Sequence, residues 1–393
     1  MIHLSDKGAG YLARIEALAP AIDAAADAID AARDLPQGLA DALRAQGLFR
    51  LVQPAAYGGA ELDPPSLAQL IEAVARRDAS MAWCLGQTNI CAMVSAYLEP
   101  AVARAVFGPD TGILAWGPGP GQAVPVEGGY RVDGAFDFAS GSRLATWLGA
   151  HVPILEADGS KRRGQDGKPI TYTMIFPKSQ AVVEDTWHTM GLRGTGSDSY
   201  KLDGLFVPEA YALARDPARR PRVGGKLYVF TPSTLYASCF GSIALGIARS
   251  MLDAFVAEMR DTTPRGASRT RGESHVMQSH VGTCEARLRS ARLFLLGSVS
   301  EIWAAAQSQD ALTQDQLLTI RMASTWATQS AREVAAAIYA AAGALAIFRS
   351  RPFERRFRDI HTVTQQIQGH PAHFETVGQI LLGRAPDRPM FTF

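Results

Sequence analysis

The segment "GYRVDGAFDFASG", Gly129 to Gly141, decides the fold, because it places a β-strand pattern in the middle of a largely helical sequence. Its β-favouring residues end in a glycine and serine cluster that is typical of a turn. Two similar short runs follow, "TYTMIFP" and "YKLDGLFVP", with glycine, proline and aspartate between them. Together these runs predict a β region between about Thr111 and Arg222.

On both sides of this region the apolar residues recur every three or four positions, which indicates helices. The pattern runs from Gly8 to about Glu99, and it returns after "PRVGGK" and persists to Leu382. The sequence therefore predicts an α+β protein that is mostly α, with a helical region over 1–110, a β region over 111–225 and a helical bundle over 226–393. The alanine-rich C-terminal helices are apolar on several faces, which favours a bundle that also buries surface in an oligomer.

Composition excludes several classes of function. The 39 lysines and arginines nearly balance the 38 aspartates and glutamates, so no net field favours nucleic acid or an acidic membrane surface. The N-terminus lacks a secretory pattern and no run of eighteen apolar residues occurs, so we expect a soluble, cytoplasmic protein. The cysteines show no metal-ligand spacing, and we expect buried thiols and no metal site. They are Cys84, Cys91, Cys239 and Cys284.

The first candidate site closes the strand pattern, where Ser140, Gly141 and Ser142 follow one another. Small hydroxyl residues beside a glycine let a flat heterocycle approach the backbone and form hydrogen bonds at its polar edge. The alternative is an ordinary serine-capped turn. Trp116 and Trp147 flank this segment and are candidate pocket-lining groups.

The second set of candidates is basic. The segment "GALAIFRSRPFERRFRD", Gly343 to Asp359, offers a glycine for close backbone approach and arginines that either hold a pyrophosphate or pair internally. Arg269 and Arg271, in "SRTRGES", form either a phosphate-binding loop or a solvated one.

Taken together and in this order, the segments resemble the acyl-CoA dehydrogenase superfamily over nearly the whole chain. The resemblance is carried by "GLFRLVQPAAYGGAELD", "GYRVDGAFDFASGS", "MGLRGTGSDSYKLDGLFVPE" and "GALAIFRSRPFERRFRD". It implies an N-terminal helical domain, a central β-barrel and a C-terminal four-helix bundle. It also implies a homotetramer that binds FAD or a reduced flavin between subunits.

Within that superfamily, "FERRFRDIHTVTQ" and "ASGSRLATW" look more like the reduced-flavin-dependent two-component monooxygenases. This branch implies FADH2, or alternatively FMN, supplied by a separate flavin reductase, and a C4a-hydroperoxyflavin that oxygenates a small aromatic or heteroatom-containing substrate. Gln368 stands approximately where many acyl-CoA dehydrogenases carry a glutamate. An amide cannot accept the α-proton of a thioester, so dehydrogenation by that route is disfavoured.

The branch also has a histidine seven residues beyond the "RD" aspartate, where this chain has Gln366. We expect His370 to replace it, with His361 and His373 as alternatives, although each is equally well explained as a surface histidine. The missing histidine shifts the expected substrate modestly toward amines and thioethers, which need no base.

We expect catalytic roles for His370, Gln366 and Ser142. The flavin contacts that we expect are Ser140, Ser142, Trp116, Arg269, Arg271, Gly343 and Gln368. Two alternatives stay open: a dehydrogenase or nitroalkane-oxidase-like enzyme whose base has moved to Glu375 or Asp198, and a non-catalytic flavin-binding subunit.

Overall fold

The computed structural model describes residues 2–164, 167–216, 219–263, 266 and 268–388. Helices, then strands, then helices follow one another along the chain, as the sequence pattern predicts. The helices are α1 Asp6–Ala32, α2 Gln37–Ala45, α3 Pro64–Ala75, α4 Ala79–Ala92, α5 Pro100–Phe107, α6 Pro232–Asp261, α7 His275–Ala306, α8 Gln314–Ala342, α9 Glu354–Val363 and α10 His373–Leu381. The strands are β1 Leu114–Trp116, β2 Gly121–Val126, β3 Gly129–Phe136, β4 Trp147–Pro153, β5 Thr171–Pro177, β6 Val182–Glu184, β7 Ser199–Pro208 and β8 Ala212–Ala214.

The helix starts are set by side-chain caps. Ser5, Asp63 and Asp78 each accept a backbone N–H in the first turn of α1, α3 and α4, which satisfies donors that have no partner within the helix. Helix α3 is buried on nearly all sides because α1, α4 and α6 pack around it. The N-terminal helices are therefore joined to the C-terminal ones through a shared apolar core.

The strands form two four-stranded sheets, β1-β4-β5-β8 and β2-β3-β7-β6. All strand pairs are antiparallel except β1 with β4. An isolated bridge between Ala123 and Ile154 joins the sheets, and the Tyr200 hydroxyl of the second sheet donates to the Gly149 carbonyl of the first at 2.5 Å. Among the described strands no closed barrel is found, because the strand pairing forms two separate sheets; β1, β6 and β8 are each three residues long.

Three long helices, α6, α7 and α8, pack side by side in the C-terminal region, and the short helices α9 and α10 lie against α8. The four-helix bundle and the three domain boundaries stay predictions. The described helices α6 and Gln314–Ile347 are apolar and long enough to cross a membrane by length and composition alone. In α6, 72% of the apolar window is buried inside the molecule, which is typical of a core helix. The four cysteines are free and buried, as predicted.

One junction ties α9 to both other regions. The Asp359 carboxylate accepts the Leu192 backbone N–H at 2.7 Å. Gly191 lies so close to α9 that an added Cβ would stand 2.2 Å from the Arg358 carbonyl oxygen. Arg358 in turn pairs with Asp30 of α1 at 3.2 Å. The loop before β7 is thus held between the first helix and the ninth.

Asp359→Asn should make the stability of the protein less dependent on pH. Burial, helped by the nearby Asp78 carboxylate, raises the pKa of Asp359 from 3.8 to about 7 in the folded chain. From about pH 4 to about pH 7 the unfolded chain has lost this proton while the folded chain keeps it, so the folded state loses stability as the pH rises through this range. Asparagine carries no charge and can still accept the Leu192 N–H.

We therefore expect the variant to match the wild type near pH 4 and to exceed it at pH 8 by at most about 4 kcal/mol in free energy of unfolding. Urea denaturation at both pH values measures the difference. Asp110→Asn, at a surface carboxylate, is the control and should shift stability by less than about 0.5 kcal/mol. An Asp359→Asn protein less stable than the wild type at pH 8 would contradict the assignment.

Candidate active site

One face of the first sheet carries a row of functional side chains. The register pairs Trp116 with Gly149, His151 with Thr173, and Thr173 with Leu213. Paired residues share a face, and so do residues two apart on one strand, so these five positions project from the same side. A Cβ at Gly149 would stand 3.0 Å from the Trp116 ring, so glycine leaves room for the indole.

This face forms one wall of a cavity of about 550 Å³. Met93, Val94 and Tyr97 line the cavity after α4, Tyr236 lines it from α6, and Leu317 lines it from α8. A cavity of this size, walled mainly by apolar and aromatic side chains with a few polar groups, is typical of a small-molecule site.

His151 is a polar group in the interior of this cavity. Its Nδ1 lies 2.9 Å from the Thr173 hydroxyl oxygen, and its ring centroid lies 4.7 Å from that of Trp116. Burial lowers the pKa of His151 well below 6.5, and the nearby Arg215 charge lowers it further. The imidazole is therefore neutral at pH 7, with one nitrogen able to accept a proton or a hydrogen bond.

Arg215 extends the same row. Its backbone N–H donates to the Thr171 carbonyl at 2.8 Å, which continues the β5-β8 ladder and places Arg215 two residues beyond Leu213 on the cavity side. Burial lowers the pKa of the guanidinium to about 10, so it stays protonated at pH 7. Among the described residues no aspartate or glutamate forms an ion pair with it.

Opposite the sheet, Tyr236 closes the cavity. Its hydroxyl oxygen lies 3.4 Å from the Cys91 sulfur, and Gln87 donates to the same sulfur at 3.6 Å. Burial raises the pKa of the Cys91 thiol to about 12 and that of Tyr236 above its ordinary value. Both groups are neutral at pH 7 and serve as hydrogen-bonding wall groups.

A column of aromatic rings connects the cavity to Ser140. Tyr236 stacks on Phe240 with ring centroids 5.5 Å apart, and Phe240 stacks on Trp83 at 4.0 Å. The Trp83 indole N–H donates to the Ser140 hydroxyl at 3.0 Å. The predicted flavin-edge serine and the cavity therefore belong to one continuous structure.

The hydroxyl of Ser140 also begins a chain of hydrogen bonds whose direction is fixed. Thr195 donates to the Leu192 carbonyl at 2.9 Å, so Ser197, 2.7 Å from Thr195, must donate to Thr195. Ser140, 2.7 Å from Ser197, must then donate to Ser197. Because its proton is used and one lone pair accepts from Trp83, Ser140 has one acceptor position left. Toward a ligand, Ser140 can therefore act only as a hydrogen-bond acceptor.

Phe138 stands beside Ser140 in an unusual conformation. Its backbone φ is 58°, a left-handed value that bulky residues rarely adopt, and its side chain is 59% exposed. The ring packs edge-on against Trp187 at 6.1 Å. Backbone strain that holds a large aromatic ring outward is typical of a ligand-contact position.

The other predicted residues of this segment differ in placement. Trp116 lines the cavity, and the flavin contact expected of it stays a prediction. Ser142 is buried, and its hydroxyl donates to the Gly196 carbonyl at 3.1 Å, so it fixes the loop before β7. The flavin contact and catalytic role assigned to Ser142 stay predictions.

The glutamine segment lies against α8 rather than in the cavity wall. Gln366 accepts the Gln368 backbone N–H at 2.5 Å, and the Gln368 carbonyl accepts from Arg321 at 2.8 Å. The Gln368 side-chain oxygen is buried without a partner among the described residues. His370 is exposed, and its Nδ1 accepts the Ala372 N–H at 3.2 Å. The catalytic role predicted for His370 gains no support from this position.

The basic candidates lie apart from the cavity. Arg269 is exposed in the loop between α6 and α7, and Arg271 donates to the Met259 sulfur at 3.6 Å. Gly343 ends α8 with φ 60°, exposed, and nothing lies within 4 Å of an added Cβ, so the backbone there is open to close approach. Their contact with a cofactor stays a prediction.

The structure also gives the positions of the two alternative bases, Asp198 and Glu375. Asp198 is buried and receives two bonds from Arg143, at 2.7 and 3.2 Å, so it is a structural ion pair. Glu375 is exposed on α10. Within the described part of the chain, no cluster of three or more histidine, cysteine or carboxylate side chains could hold a metal ion.

Sequence reasoning missed His151, Arg215 and Tyr236. His151 lies in "WLGAHVP", a strand that is buried on both faces and so shows no clean alternation. A polar, titratable residue in an otherwise apolar buried strand was the available signal. Arg215 follows a strand of three residues, too short to be recognised from its pattern.

Comparison with known proteins identifies relatives of the whole chain. Residues 16–106 match the acyl-CoA dehydrogenase N-terminal domain, and residues 238–370 match the acyl-CoA dehydrogenase C-terminal domain. Indole-3-acetate monooxygenase of Pseudomonas putida is 27% identical over 90% of this chain and 88% of its own length. The oxygenase component of the FADH2-dependent resorcinol hydroxylase of Rhizobium sp. (strain MTP-10005) is 29% identical over 90% and 89%. The structure of XiaF from Streptomyces sp., in complex with FADH2 and glycerol, superposes with a TM-score of 0.89 at 23% identity over 97% of each chain.

Proposed function

Because the chain belongs to the acyl-CoA dehydrogenase family, we propose that it works within that fold as a flavin-dependent monooxygenase. It takes reduced flavin from a separate reductase and uses O2 to oxygenate a small aromatic substrate. The main support is that the proton acceptor inside the cavity is a histidine and not a carboxylate. His151 lies inside, whereas the lining carboxylates Asp216 and Asp310 are exposed at the mouth. Thioester dehydrogenation requires a carboxylate base inside the cavity, and aromatic oxygenation does not.

The residues around Ser140 fit a reduced flavin. Ser140 offers one hydrogen-bond acceptor, and a reduced flavin ring carries N–H groups that can donate to it. Phe138 offers an exposed ring on which a flat heterocycle can pack. When bound, the flavin supplies the activation of O2, and the protein supplies placement and exclusion of water. FADH2 is the proposed cofactor, with FMN as the alternative, and Arg269, Arg271 and Gly343 are proposed for its distal end.

His151 is proposed as the group that accepts a proton from the substrate, or holds it by a hydrogen bond, during oxygenation. A phenol or an indole N–H becomes a better nucleophile as its proton is withdrawn. In the proposed tautomer Nδ1–H donates to the Thr173 hydroxyl, which leaves the Nε2 lone pair for the substrate. Since the cavity contains a histidine, the preference for amines and thioethers inferred from Gln366 loses its basis.

The same residues argue against a non-catalytic subunit. His151 and Arg215 are half-buried ionisable groups that line one cavity, and such groups are typical of binding or catalytic sites.

We propose a homotetramer built through the C-terminal helices and three domains over 1–110, 111–225 and 226–393. Large apolar side chains are exposed on this part of the chain and would be covered by partner subunits. They include Trp326, Ile347, Phe348, Ile367, Leu381 and Leu382.

Mixing the purified protein with reduced FAD, 18O2 and a panel of phenols and indoles tests the function. We expect oxygenated product carrying one 18O atom. In a parallel anaerobic arm, acyl-CoA thioesters are added to the protein loaded with oxidised FAD, and we expect no bleaching of the flavin absorbance. Bleaching by a thioester, with no labelled product from any aromatic, would contradict the proposal.

A further inference from the structure

Arg215 is a cation in the cavity lining, and no described carboxylate forms an ion pair with it. It lines the same cavity as His151 and Tyr236, and it shares a sheet face with His151. Arg215 is half-buried, and a partly desolvated guanidinium is stabilised when an anion or several hydrogen-bond acceptors meet it. The geometry therefore leaves a position for an anionic group of a ligand.

The charge around the mouth favours the same sign of ligand. Basic lining residues outnumber acidic ones: Arg215, Arg219, Arg220 and Lys226 stand against Asp216 and Asp310. Asp310 is already engaged, because Lys226 lies 3.7 Å from its carboxylate and Arg220 donates to its backbone carbonyl. An excess of cations at a partly enclosed entrance raises the local concentration of anions.

The rest of the cavity is shaped for an uncharged ring. Met93, Val94, Leu213, Trp116 and Tyr236 provide aliphatic and aromatic walls, and the volume of about 550 Å³ suits a ligand of one or two rings. The polar end of the cavity is thus Arg215, with His151 between it and Trp116 along the sheet face.

We propose that Arg215 is a specificity-determining residue that binds a carboxylate on a short side chain of the aromatic substrate. The inference rests on the proposed function and adds the substrate class, an aryl-alkanoate anion. A planar guanidinium can hold both oxygens of a carboxylate, which fixes the direction of the ring as well as its affinity. His151, on the same sheet face with β5 between its strand and Arg215, is then placed to meet a polar hydrogen on the ring.

A flavin phosphate is a second source of the same anionic chemistry, and the test separates the two. Isothermal titration calorimetry measures the Kd of 1-naphthylacetate and of its neutral amide, 1-naphthylacetamide, with and without reduced FAD under anaerobic conditions. The Kd of reduced FAD itself is measured in parallel. The proteins are wild type, Arg215→Gln, Arg215→Lys and Arg222→Gln. Arg222 is the matched control, because it belongs to the same loop but pairs with Glu99 and does not line the cavity.

For the wild type we expect the acid to bind at least roughly tenfold more tightly than the amide. Arg215→Gln should raise the Kd of the acid by roughly 10- to 100-fold, the range for losing one charge-assisted contact. It should raise the Kd of the amide by less than about threefold. Arg215→Lys should keep part of the preference, and Arg222→Gln should keep all of it. Reduced FAD should bind equally to all four proteins.

Three results would overturn the proposal. The first is that the wild type binds the acid and the amide equally, with or without reduced FAD. The second is that Arg215→Gln weakens the binding of acid and amide equally. The third is that Arg215→Gln weakens the binding of reduced FAD and leaves the binding of the acid unchanged. Failure of the proposed function is distinguishable: Arg215-dependent binding of the acid without any 18O-labelled product would refute the monooxygenase and keep the anion site. If neutral aromatics give labelled product and Arg215→Gln does not change its yield, the monooxygenase would be supported and the anion site refuted.

Discussion

Replacing His151 by glutamine should lower kcat for oxygenation of a phenolic or indolic substrate by roughly 10²- to 10³-fold, the usual contribution of a positioned general base. Glutamine is similar in size and can keep the hydrogen bond to Thr173, but its amide cannot take up a proton. The Kd of reduced flavin should be unchanged, because the proposed flavin contacts are Ser140 and Phe138. Single-turnover mixing with O2 should show more hydrogen peroxide released per flavin oxidised.

Two control variants make this result specific. Thr173→Val removes the partner of Nδ1 but keeps the imidazole, so we expect a smaller loss of about three- to tenfold in kcat. His370→Ala, at the exposed histidine that sequence reasoning favoured, should change kcat by less than about threefold. A large loss in His370→Ala together with near-normal activity in His151→Gln would reverse the assignment of the base.

The second large effect concerns stability. Gly191→Ala should destabilise the protein by about 3–5 kcal/mol, because the new Cβ would stand 2.2 Å from the Arg358 carbonyl oxygen and 2.7 Å from the Asp359 nitrogen. These are backbone atoms of a helix and cannot turn away as a flexible side chain can. Relief requires α9 to move from the loop, which breaks the bond from Leu192 to Asp359.

Chemical denaturation of the two proteins measures the loss. Gly282→Ala in α7 is the matched control, since nothing lies within 4 Å of its added Cβ. Alanine is favoured over glycine inside a helix, so this control should be neutral or more stable by up to about 1 kcal/mol. A Gly191→Ala protein as stable as the control would show that the loop and α9 are not packed as described.

The sequence predicted the arrangement of helices and strands because helical and strand periodicities are local properties. The segment ending at Gly141 has the strand pattern and turn residues that its structure requires, and Ser140 could be proposed because its motif is continuous in the chain. The closed barrel was implied by resemblance to a family rather than by any pattern. The three-residue strands found at the sheet edges are too short to produce such a pattern.

The cavity could not be predicted in the same way. His151 meets Thr173, Leu213 and Arg215 only through strand pairing, and no local signal fixes that register when both faces of a strand are buried. Gly191 is similar, since its contact with Arg358 joins segments far apart in the chain. The acceptor role of Ser140 depends on the hydroxyls of Ser197 and Thr195, whose directions follow only from the folded network.

We propose that a flavin beside Ser140 and an aromatic ligand in the cavity form one active site. A crystal structure with reduced FAD and 1-naphthylacetate, grown without oxygen, tests it most directly. We expect the flavin ring in contact with Phe138, with one of its N–H groups donating to the Ser140 oxygen, the naphthalene between Trp116 and Tyr236, and the carboxylate on Arg215. A flavin bound away from Ser140, or an aryl ligand bound outside the cavity with its carboxylate on another cation, would contradict the account.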